Sequence, residues 1–521
     1  MKVGYRSLFV FLPFSFLSLF GNEKIDGAID LNKREFLPVF IRMSDQMVNC
    51  AGEYEKQSFA RSENSRSQNR KEVIRLLRQK AKKSWDVLSK NIGLLSKAGE
   101  IRNIEKFWIV NGFSCLAQAS AIRKLARQPE VSMIYLDRFS KPVRRSSPMS
   151  DSQSQAMRNI LTEWRRKDSR PPNTVRIPWN VREIGAQAAW KKENATGQGV
   201  KVAVIDTGII STPSLIHALD KNHGEELNGL DDDQNGLIDD LFGYDFIANT
   251  GHILDSTSTT SHGSSCVGII AGRPSRLGLQ TAIAPDSKIL LVKGGFNLRS
   301  LEYLITNGAD IVSMSFMIVN RELGQMRGLF RNAFEHLSLG GVLAVGGAGN
   351  YGPKSRRAMP LGKQIGLPKD IPCVLAIAGV DQSRIQLPFS SEGPCYWEGV
   401  QFFSDYSKQR PLQKPDLAAF PSGYPVWNVS GSQDIRKGWR EVEKDKGASL
   451  LLGPAGNSFS GPHAAGVAAL MLSVNPELNP WEVSGILCET ASDLGLKGVD
   501  SKFGYGLIDA LAAVRAAKIR N

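Results

Sequence analysis

The chain has 521 residues, 42% of them apolar, which is enough for a buried core and for more than one domain. Its net charge of +14 arises in the first 170 residues, which hold 32 Lys and Arg against 17 Asp and Glu, while the rest holds 33 against 34. Basic segments can bind nucleic acid, but no nucleic-acid-binding motif accompanies this one, so we expect no nucleic-acid partner.

The first 21 residues, MKVGYRSLFVFLPFSFLSLFG, combine a positively charged start with an apolar run from Ser7 to Phe20. This run is short for a membrane span and typical of a signal peptide, with Gly21 as a small residue for cleavage. We therefore predict a signal peptide over 1–21 and an exported protein, secreted or associated with the cell envelope. An uncleaved membrane anchor is the alternative.

Residues 22–140 predict a small module of strands and helices. FLPVFIRM (36–43) indicates a strand, and 71–95 has the apolar spacing of a helix. Residues 105–118 predict two strands around the turn Asn111-Gly112, followed by a helix at 120–129 and a strand at 131–136. The order β-α-β-β-α-β predicts a ferredoxin-like α+β sandwich.

Residues 141–173 are rich in Ser, Arg, Gln and Pro and poor in apolar periodicity, which predicts an exposed basic linker of the kind that proteases cut. From 174 to 521, short apolar runs at 201–208, 288–294, 309–316, 341–350 and 373–380 alternate with helical segments such as 298–307 and 326–339. This alternation predicts an α/β domain with a parallel sheet covered by helices on both faces.

Six cysteines are present, and export permits disulfides; Cys373 and Cys395 are the pair suggested by their spacing. Their arrangement does not indicate a zinc site.

The acidic segment LDDDQNGLIDD (230–240) has the spacing of a Ca²⁺-binding loop, with Gly236 at its sharp turn. The twelfth position is Phe242 and not the bidentate Glu of a complete loop. The segment is therefore either a partial structural calcium loop that takes ligands from elsewhere or a solvated acidic turn. The candidate ligands are Asp231, Asp233, Asn235 and Asp239.

An acid, an imidazole and a hydroxyl occur where such a sheet brings functional groups together, at the carboxyl ends of its strands. Asp206 ends the strand in VAVIDTGI, His262 begins HGSSCVGIIAG, and both Ser458 and Ser460 lie in GNSFSGPHAAG. A serine becomes a nucleophile when an imidazole takes its proton, and a carboxylate fixes the tautomer of that imidazole. Asn350, which ends GVLAVGGAGN, offers an amide to a developing oxyanion.

Taken singly, these residues have structural explanations as turn or helix-start residues. Taken together, the segments resemble the signature blocks of the subtilisin-like serine proteases, or subtilases. VAVIDTGI resembles the Asp block, His262-Gly-Ser-Ser-Cys-Val-Gly268 the His block, and Gly456-Asn-Ser-Phe-Ser-Gly-Pro-His463 the Ser block. KPDLAAFP (414–421), PCVLAIAGVD (372–381) and FGYGLIDALAAV (503–514) are also similar, and the likeness covers about residues 175–515.

The resemblance implies Asp206 as the orienting acid, His262 as general base and then acid, and Ser458, third in its block, as the nucleophile. Asn350 and the backbone N–H of Ser458 are implied to hold the oxyanion. Ser460 takes the place of a small packing residue. No cofactor is required for this catalysis.

Residues Ser313, Met314 and Ser315 lie in a segment that resembles the substrate-pairing strand of the family. The segment lacks the usual Gly near Phe316, which leaves the shape of the first specificity pocket open. Cys266 matches the position of a buried free thiol in proteinase-K-like subtilases, so we expect a mercurial to inhibit by disturbing His262.

The module at 22–140, with WIVNGFSCLAQ and ARQPEVSMIYLDR, is similar to the inhibitory propeptides of the family. The resemblance implies a secreted serine endopeptidase made as a zymogen, with proteins or peptides as substrates, its own propeptide as partner and a processing site in the linker. We expect a monomer. The module as a permanently attached domain is the alternative.

Two other functions are considered. An α/β-hydrolase requires G-x-S-x-G and the chain order Ser, acid, His, and the sequence has neither. An exported, catalytically inactive protein of subtilase fold that binds peptides remains the alternative.

Overall fold

The computed structural model describes residues 23–138, 146–166, 174–255, 260–295, 297–318, 322–355, 357, 363–431, 438–445 and 447–520. The predicted signal peptide and the two ends of the predicted linker, 141–145 and 167–173, lie outside these ranges. Within the described ranges, no helix combines the length and the apolar character that crossing a membrane requires.

The N-terminal module has a four-stranded antiparallel sheet in the order β2-β3-β1-β4, and the predicted α+β arrangement is confirmed with one additional helix, α1. Alternation along β1 directs Val39 and Ile41 toward helices α2 and α3, and Phe40 toward the rest of the protein. The elements are β1 (Leu37–Met43), α1 (Glu53–Ala60), α2 (Arg66–Lys97), β2 (Ile101–Phe107), β3 (Gly112–Ala117), α3 (Ala119–Ala126) and β4 (Val131–Leu136).

The prediction of an exposed linker over 141–173 is corrected for its central part, which forms helix α4 (Asp151–Arg165). Ser150 caps this helix by accepting the backbone N–H of Gln153, whose side chain accepts the backbone N–H of Ser150 in return. Met157 and Ile160 are fully buried against the core of the large domain. The segment contains few apolar residues, but they lie at helical spacing and fall on one face.

The large domain is built on a seven-stranded sheet in the order β11-β10-β9-β8-β5-β7-β6, with every neighbouring pair parallel. All five predicted strands and both predicted helices are present. A three-stranded antiparallel sheet, β12-β14-β13, flanks the domain. The strands are β5 (Lys201–Asp206), β6 (Gly243–Asp245), β7 (Lys288–Lys293), β8 (Ile311–Met314), β9 (Leu343–Gly347), β10 (Val374–Gly379), β11 (Leu417–Ala419), β12 (Val426–Val429), β13 (Arg440–Asp445) and β14 (Ala448–Leu452).

Helices cover both faces of the seven-stranded sheet, which is the predicted α/β architecture. Alternation along β5 sends Val202 and Val204 to the face that carries α8 and α11, and Ala203 and Ile205 to the face that carries α9 and α10. The helices are α5 (Trp179–Glu183), α6 (Ala186–Glu193), α7 (Pro213–Ile216), α8 (His262–Ala271), α9 (Leu298–Thr306), α10 (Met326–Leu339), α11 (Ser460–Val474), α12 (Pro480–Glu489) and α13 (Ala510–Ile519).

The suggested disulfide between Cys373 and Cys395 is wrong, because both are free thiols, as are the other four cysteines. The two residues pack in different places. Cys395 lies in a small cluster with Ala348 and Ala376, whereas Cys373 packs against the large core on the α10 side of the sheet.

The N-terminal module contacts α9 and α10 through buried polar groups. Glu302 of α9 accepts the backbone N–H groups of Trp108 and Ile109 at 2.6 and 2.9 Å. His336 of α10 donates from Nδ1 to the carbonyl of Ile109 at 2.6 Å and accepts the N–H of Val48 at Nε2, at 2.9 Å. An imidazole that accepts at Nε2 is neutral, and burial lowers the pKa of His336 to about 4, although its bond to Ile109 opposes that change.

We expect His336→Gln to alter the pH dependence of the stability of the intact chain. The pKa of His336 is lower in the folded protein than its ordinary 6.5, so protonation favours unfolding, and stability is lost as pH falls from 6.5 toward 4. At pH 4.5 the loss from this group is about 2.5 kcal/mol. The free energy of unfolding, measured by denaturant titration at pH 7 and 4.5, should fall less in the variant.

The matched control is His223→Gln, which removes an exposed histidine and should follow the wild-type profile. An equal loss of stability in wild type and His336→Gln between the two pH values would show that His336 does not carry the effect.

Candidate active site

The predicted acid and base lie in contact at the carboxyl edge of the sheet. Asp206 ends β5 and His262 begins α8, and His262 Nδ1 lies 2.8 Å from Asp206 Oδ1 and 3.0 Å from Oδ2. Gly263 permits this approach, since a Cβ at this position would overlap the carbonyl oxygen of Gly208 and lie 3.2 Å from Asp206 Cβ. The Gly that follows the His therefore brings the start of the helix onto the end of the strand.

The electrostatics of the pair favour an ionised carboxylate and a basic imidazole. Burial alone would raise the pKa of Asp206, but the charge of His262 and its hydrogen bond outweigh burial and lower that pKa. Burial likewise opposes the charged form of His262, but the carboxylate of Asp206 raises the pKa of His262 well above its usual value. The Asp206 side chain is 5% exposed and the His262 side chain 33% exposed, so the ring has one face open to solvent.

The structure distinguishes the two candidate serines. Ser460 is fully buried in the first turn of α11. Ser458 lies two residues ahead of this helix and is half-buried. The ring of Phe459 stacks on His262 with centroids 5.8 Å apart, which places the turn that carries Ser458 beside the imidazole. Ser458 is therefore the serine that is accessible at the site.

The Ser458 hydroxyl donates to the carbonyl of Ser315 at 3.3 Å, and among the described residues it makes no hydrogen bond to His262. The carbonyl of Ser458 accepts from Ser315 Oγ at 2.7 Å. The turn before α11 is thus joined to the segment that follows β8 by two hydrogen bonds.

Cys266 lies beneath the site, on the face of α8 that carries His262. Its Sγ is 3.9 Å from His262 Nδ1, 3.4 Å from Ser315 Oγ and 3.6 Å from the carbonyl oxygen of Ser458. Burial raises the pKa of this thiol, so the thiol form is favoured. Inhibition by a mercurial stays a prediction, and these contacts are the route by which it would disturb the base.

Asn350 follows β9 and lies next to the turn that carries Ser458. Its Oδ1 accepts the N–H of Asn457 at 2.7 Å, so the amide group is oriented with Nδ2 away from that contact. No described residue accepts a hydrogen bond from Nδ2. Asn457, which the sequence marked only as a departure from the family pattern, fixes the turn through Nδ2 hydrogen bonds to the Gly349 carbonyl at 2.8 Å and Ser390 Oγ at 3.0 Å.

The prediction for the substrate-pairing residues is corrected for Ser313, and for Met314 and Ser315 it stays a prediction. Ser313 and Met314 are 1% and 0% exposed and lie within β8, where Ser313 is paired with Val204 on one side and Val345 on the other. A strand that is hydrogen-bonded on both sides has no free edge for a peptide. Ser315 is half-buried at the site, so the accessible segment begins there.

One titratable residue near the site gave no signal in the sequence. Lys369 is 1% exposed, and its Nζ has no hydrogen-bond partner among the described residues and lies 4.9 Å from the ring centroid of Phe316. Burial lowers its pKa to about 7, although the charges of Asp370 and Asp206 oppose this change. A lysine in a turn is ordinarily exposed, so nothing in the sequence pointed to it.

The acidic loop brings together only part of the predicted calcium ligands. Carboxylate oxygens of Asp231, Asp233 and Glu225 all lie within 4.8 Å of one another. Asp239 instead accepts backbone N–H groups of Asn228 and Gly229, and Asn235 donates to Asp233 at 3.1 Å. Sequence reasoning missed Glu225, because it lies outside the twelve-residue loop.

Glu225 is fully buried and only half satisfied. Its Oε1 accepts the N–H groups of Asp232 and Asp233 at 2.9 and 3.1 Å, whereas Oε2 has no hydrogen-bond partner within the described ranges. Burial raises the pKa of nearby Asp240 to about 7, and the charges of Asp233 and Glu225 add to this effect. The loop therefore holds negative charge that no described cation neutralises.

A parallel α/β sheet with an acid, an imidazole and an accessible serine at its carboxyl edge is the arrangement expected of a serine hydrolase. Residues 197–506 match the family described as the subtilase family. The chain belongs to this family of subtilisin-like serine proteases, as the signature blocks indicated.

Three relatives show how far the similarity extends. Bacillopeptidase F of Bacillus subtilis (strain 168) is 25% identical over 86% of this chain and 29% of that protein. Alkaline elastase YaB of Bacillus sp. (strain YaB) is 25% identical over 65% of this chain and 70% of that protein. Subtilisin-like protease 1 of Plasmodium berghei (strain Anka) is 25% identical over 61% of this chain and 50% of that protein. The chain thus spans half or less of the length of the first and third.

We expect Asp206→Asn to lower kcat of the processed protein by about 10⁴, the size of the loss when a triad aspartate is replaced by its amide. Because the carboxylate raises the pKa of His262, and the base acts only when neutral, the acidic limb of the residual kcat/KM profile should move to lower pH. The measurement is kcat/KM for a chromogenic peptide from pH 5 to 9.

Asp286→Asn, which changes a half-exposed carboxylate on the surface, is the control and should keep the wild-type profile. Retention of more than a tenth of the wild-type kcat in Asp206→Asn would mean that the contact with His262 is structural.

Proposed function

We propose that the chain is an exported serine endopeptidase, made as a zymogen, that hydrolyses peptide bonds through Asp206, His262 and Ser458. The observation that carries the proposal is the 2.8 Å contact between Asp206 and His262 beside the accessible hydroxyl of Ser458. Asn350 supports it, because its amide nitrogen lies next to the same turn and donates to no described residue. An inactive protein of the same fold would not need to retain all four groups.

In the first half of the reaction, the Ser458 hydroxyl gives up its hydrogen bond to the carbonyl of Ser315 and attacks the carbonyl carbon of the substrate peptide bond. His262 Nε2 takes the hydroxyl proton, and Asp206 stabilises the imidazolium through Nδ1. The carbonyl oxygen becomes an oxyanion, which accepts hydrogen bonds from Asn350 Nδ2 and the N–H of Ser458. The C–N bond then breaks, His262 returns the proton to the leaving amine, and an ester to Ser458 remains.

In the second half, water attacks the ester carbon while His262 takes a proton from it. A second oxyanion forms and collapses, the C–O bond to Ser458 breaks, and Ser458 recovers its proton from His262. The products are a carboxylic acid and an amine, and the enzyme is regenerated without a cofactor.

The N-terminal module is proposed to be the propeptide and the partner of the catalytic domain before processing. Its contacts with Glu302 and His336 support this role. Residues 146–165 are held in the fold, since Ser146 Oγ contacts Tyr244 at 2.6 Å and α4 is packed on the core. We therefore place the processing site before Ser146.

Export of the chain rests on its first 21 residues and on the likeness to relatives such as Minor extracellular protease Epr of Bacillus subtilis (strain 168), 25% identical over 63% of this chain. The proposed substrates are proteins or peptides, and the proposed active form is a monomer.

The decisive experiment is reaction of the processed protein with a fluorophosphonate, with the adduct located by peptide mass spectrometry. We expect one adduct, on Ser458, because only an activated serine attacks this reagent. Ser458→Ala should abolish the adduct. Ser460→Ala, which changes a buried serine two residues away, should leave it unchanged.

A folded, processed protein that forms no adduct would support the inactive, peptide-binding alternative. An adduct on another serine would overturn the assignment of the nucleophile.

The acidic loop is proposed to hold a structural calcium ion through Asp231, Asp233 and Glu225. The fit is supported by the buried Glu225 Oε2, which has no hydrogen-bond partner in the part of the chain that the structure describes, and by oxygen ligands of the kind Ca²⁺ prefers. When bound, the ion would neutralise the mutual repulsion of the three carboxylates. It takes no part in the reaction.

We expect calcium at 100 times its dissociation constant to stabilise the folded protein by about 2.7 kcal/mol relative to protein in EDTA. Glu225→Gln should lose this response and should be more stable than wild type in EDTA, because one buried charge is removed. Asp232→Asn, whose carboxylate accepts from Glu226 and Asn228 outside the group, should keep the response. Denaturation midpoints that are identical with calcium and with EDTA in wild type would refute the site.

A further inference from the structure

The side chain of Met317 lies across a space beside the nucleophile. Met317 is half-buried and follows Ser315 by two residues. Its Sδ accepts the backbone N–H of Gly366 at 2.9 Å, and its Cε would lie 2.8 Å from a Cβ at Gly349. The thioether therefore spans from the segment after β8 to the segment that ends in Asn350.

Two walls enclose this space, and each is joined to the reacting groups. On one side, the carbonyl of Ser315 accepts the hydroxyl of Ser458. On the other, Gly349 directly precedes Asn350 and its carbonyl accepts from Asn457 in the turn of the nucleophile. Gly366 closes the far side, where the N–H of Ile318 donates to the carbonyl of Leu367 at 2.9 Å.

The position of a substrate follows from these contacts. Its scissile carbonyl carbon must reach Ser458 Oγ while its oxygen reaches Asn350 Nδ2. The side chain on the acyl side starts at the next carbon atom, so it projects between the Ser315–Met317 segment and the Gly349–Asn350 segment. That is the space which Met317 fills.

We propose that Met317 limits the substrate residue on the acyl side of the scissile bond to a small side chain such as Gly, Ala or Ser. This inference rests on the proposed endopeptidase function. A larger side chain has to displace the thioether, and among the described residues the N–H of Gly366 has no other acceptor to replace it. Gly349 leaves room for the thioether in this position, because its φ of +122° favours glycine and a Cβ there would lie 2.8 Å from Met317 Cε.

The test uses a series of peptide substrates that differ only in the acyl-side residue, which is Ala, Leu or Phe. The value of kcat/KM is measured for each with the enzyme obtained by processing of the full-length chain. For wild type we expect kcat/KM to be at least about 100-fold higher for Ala than for Phe, since a single methylene too many in a tight pocket already costs about 10–200-fold. Met317→Gly should raise the ratio of Phe to Ala by about 100-fold. Met317→Leu keeps the volume but loses the acceptor for the Gly366 N–H, so its ratio should lie between those of wild type and Met317→Gly.

Fluorophosphonate labelling of Ser458 in each preparation distinguishes a failure of the proposed endopeptidase function from a failure of the proposed role of Met317. Labelled wild type that cleaves after Phe as well as after Ala overturns the role of Met317 and leaves the endopeptidase function standing, and this result needs no variant. Equal Phe-to-Ala ratios in labelled Met317→Gly and wild type overturn it as well. Absence of labelling in folded wild type overturns the proposed function and this inference with it.

Discussion

The site depends on a direct backbone contact between helix α11 and strand β9. Glycines at the contact make it possible, because they place no side chain between the two elements. A Cβ at Gly347 in β9 would overlap the carbonyl of Asn457, and a Cβ at Gly461 in α11 would lie 2.7 Å from the backbone nitrogen of Gly347. Helix α11 can therefore lie directly on the sheet. This close packing places the turn with Ser458 against Asn350, which follows β9, and Ser315, which follows β8. Gly263 likewise allows α8 to approach Asp206.

The sequence predicted the sheet, its faces and the acid–base pair because each depends on local patterns or on short motifs. Apolar runs such as KVAVID indicate buried parallel strands without knowledge of the strands they pair with. Each of the three signature blocks also contains the glycines that its local structure requires. Helix α4 was missed because its few apolar residues are separated by Ser, Arg and Gln. They stabilise the helix by packing on the core of the large domain, and that contact cannot be read from the local sequence.

The errors at the site have a similar cause. The neighbouring strands decide where pairing on both sides of β8 ends, so the motif alone could not separate Ser313 from Ser315. Glu225 joins the acidic group from outside the loop, and Lys369 is buried by tertiary packing. The spacing of Cys373 and Cys395 carried no information on the two separate clusters that contain them.

The module and the large domain share a polar interface in which charge and hydrogen bonding are closely balanced. Burial raises the pKa of Glu302 to about 8, although two N–H donors from the module lower it, and nearby His336 is held neutral. Asp310, just before β8, forms ion pairs with Arg66 and Arg70 of α2. In the closed interface these polar groups have hydrogen-bond partners. Separating the two surfaces costs free energy unless water replaces each partner.

The six unpaired cysteines have a consequence for the resistance of the protein to oxidation. Oxidants attack the thiolate and not the thiol. In this chain burial raises the pKa of every cysteine, to about 12 for Cys115 and Cys488. At pH 7 a thiol with that pKa is a thiolate in roughly one molecule in 10⁵. Burial thus protects Cys115 and Cys488 from oxidation by withholding their reactive thiolate form, without a disulfide.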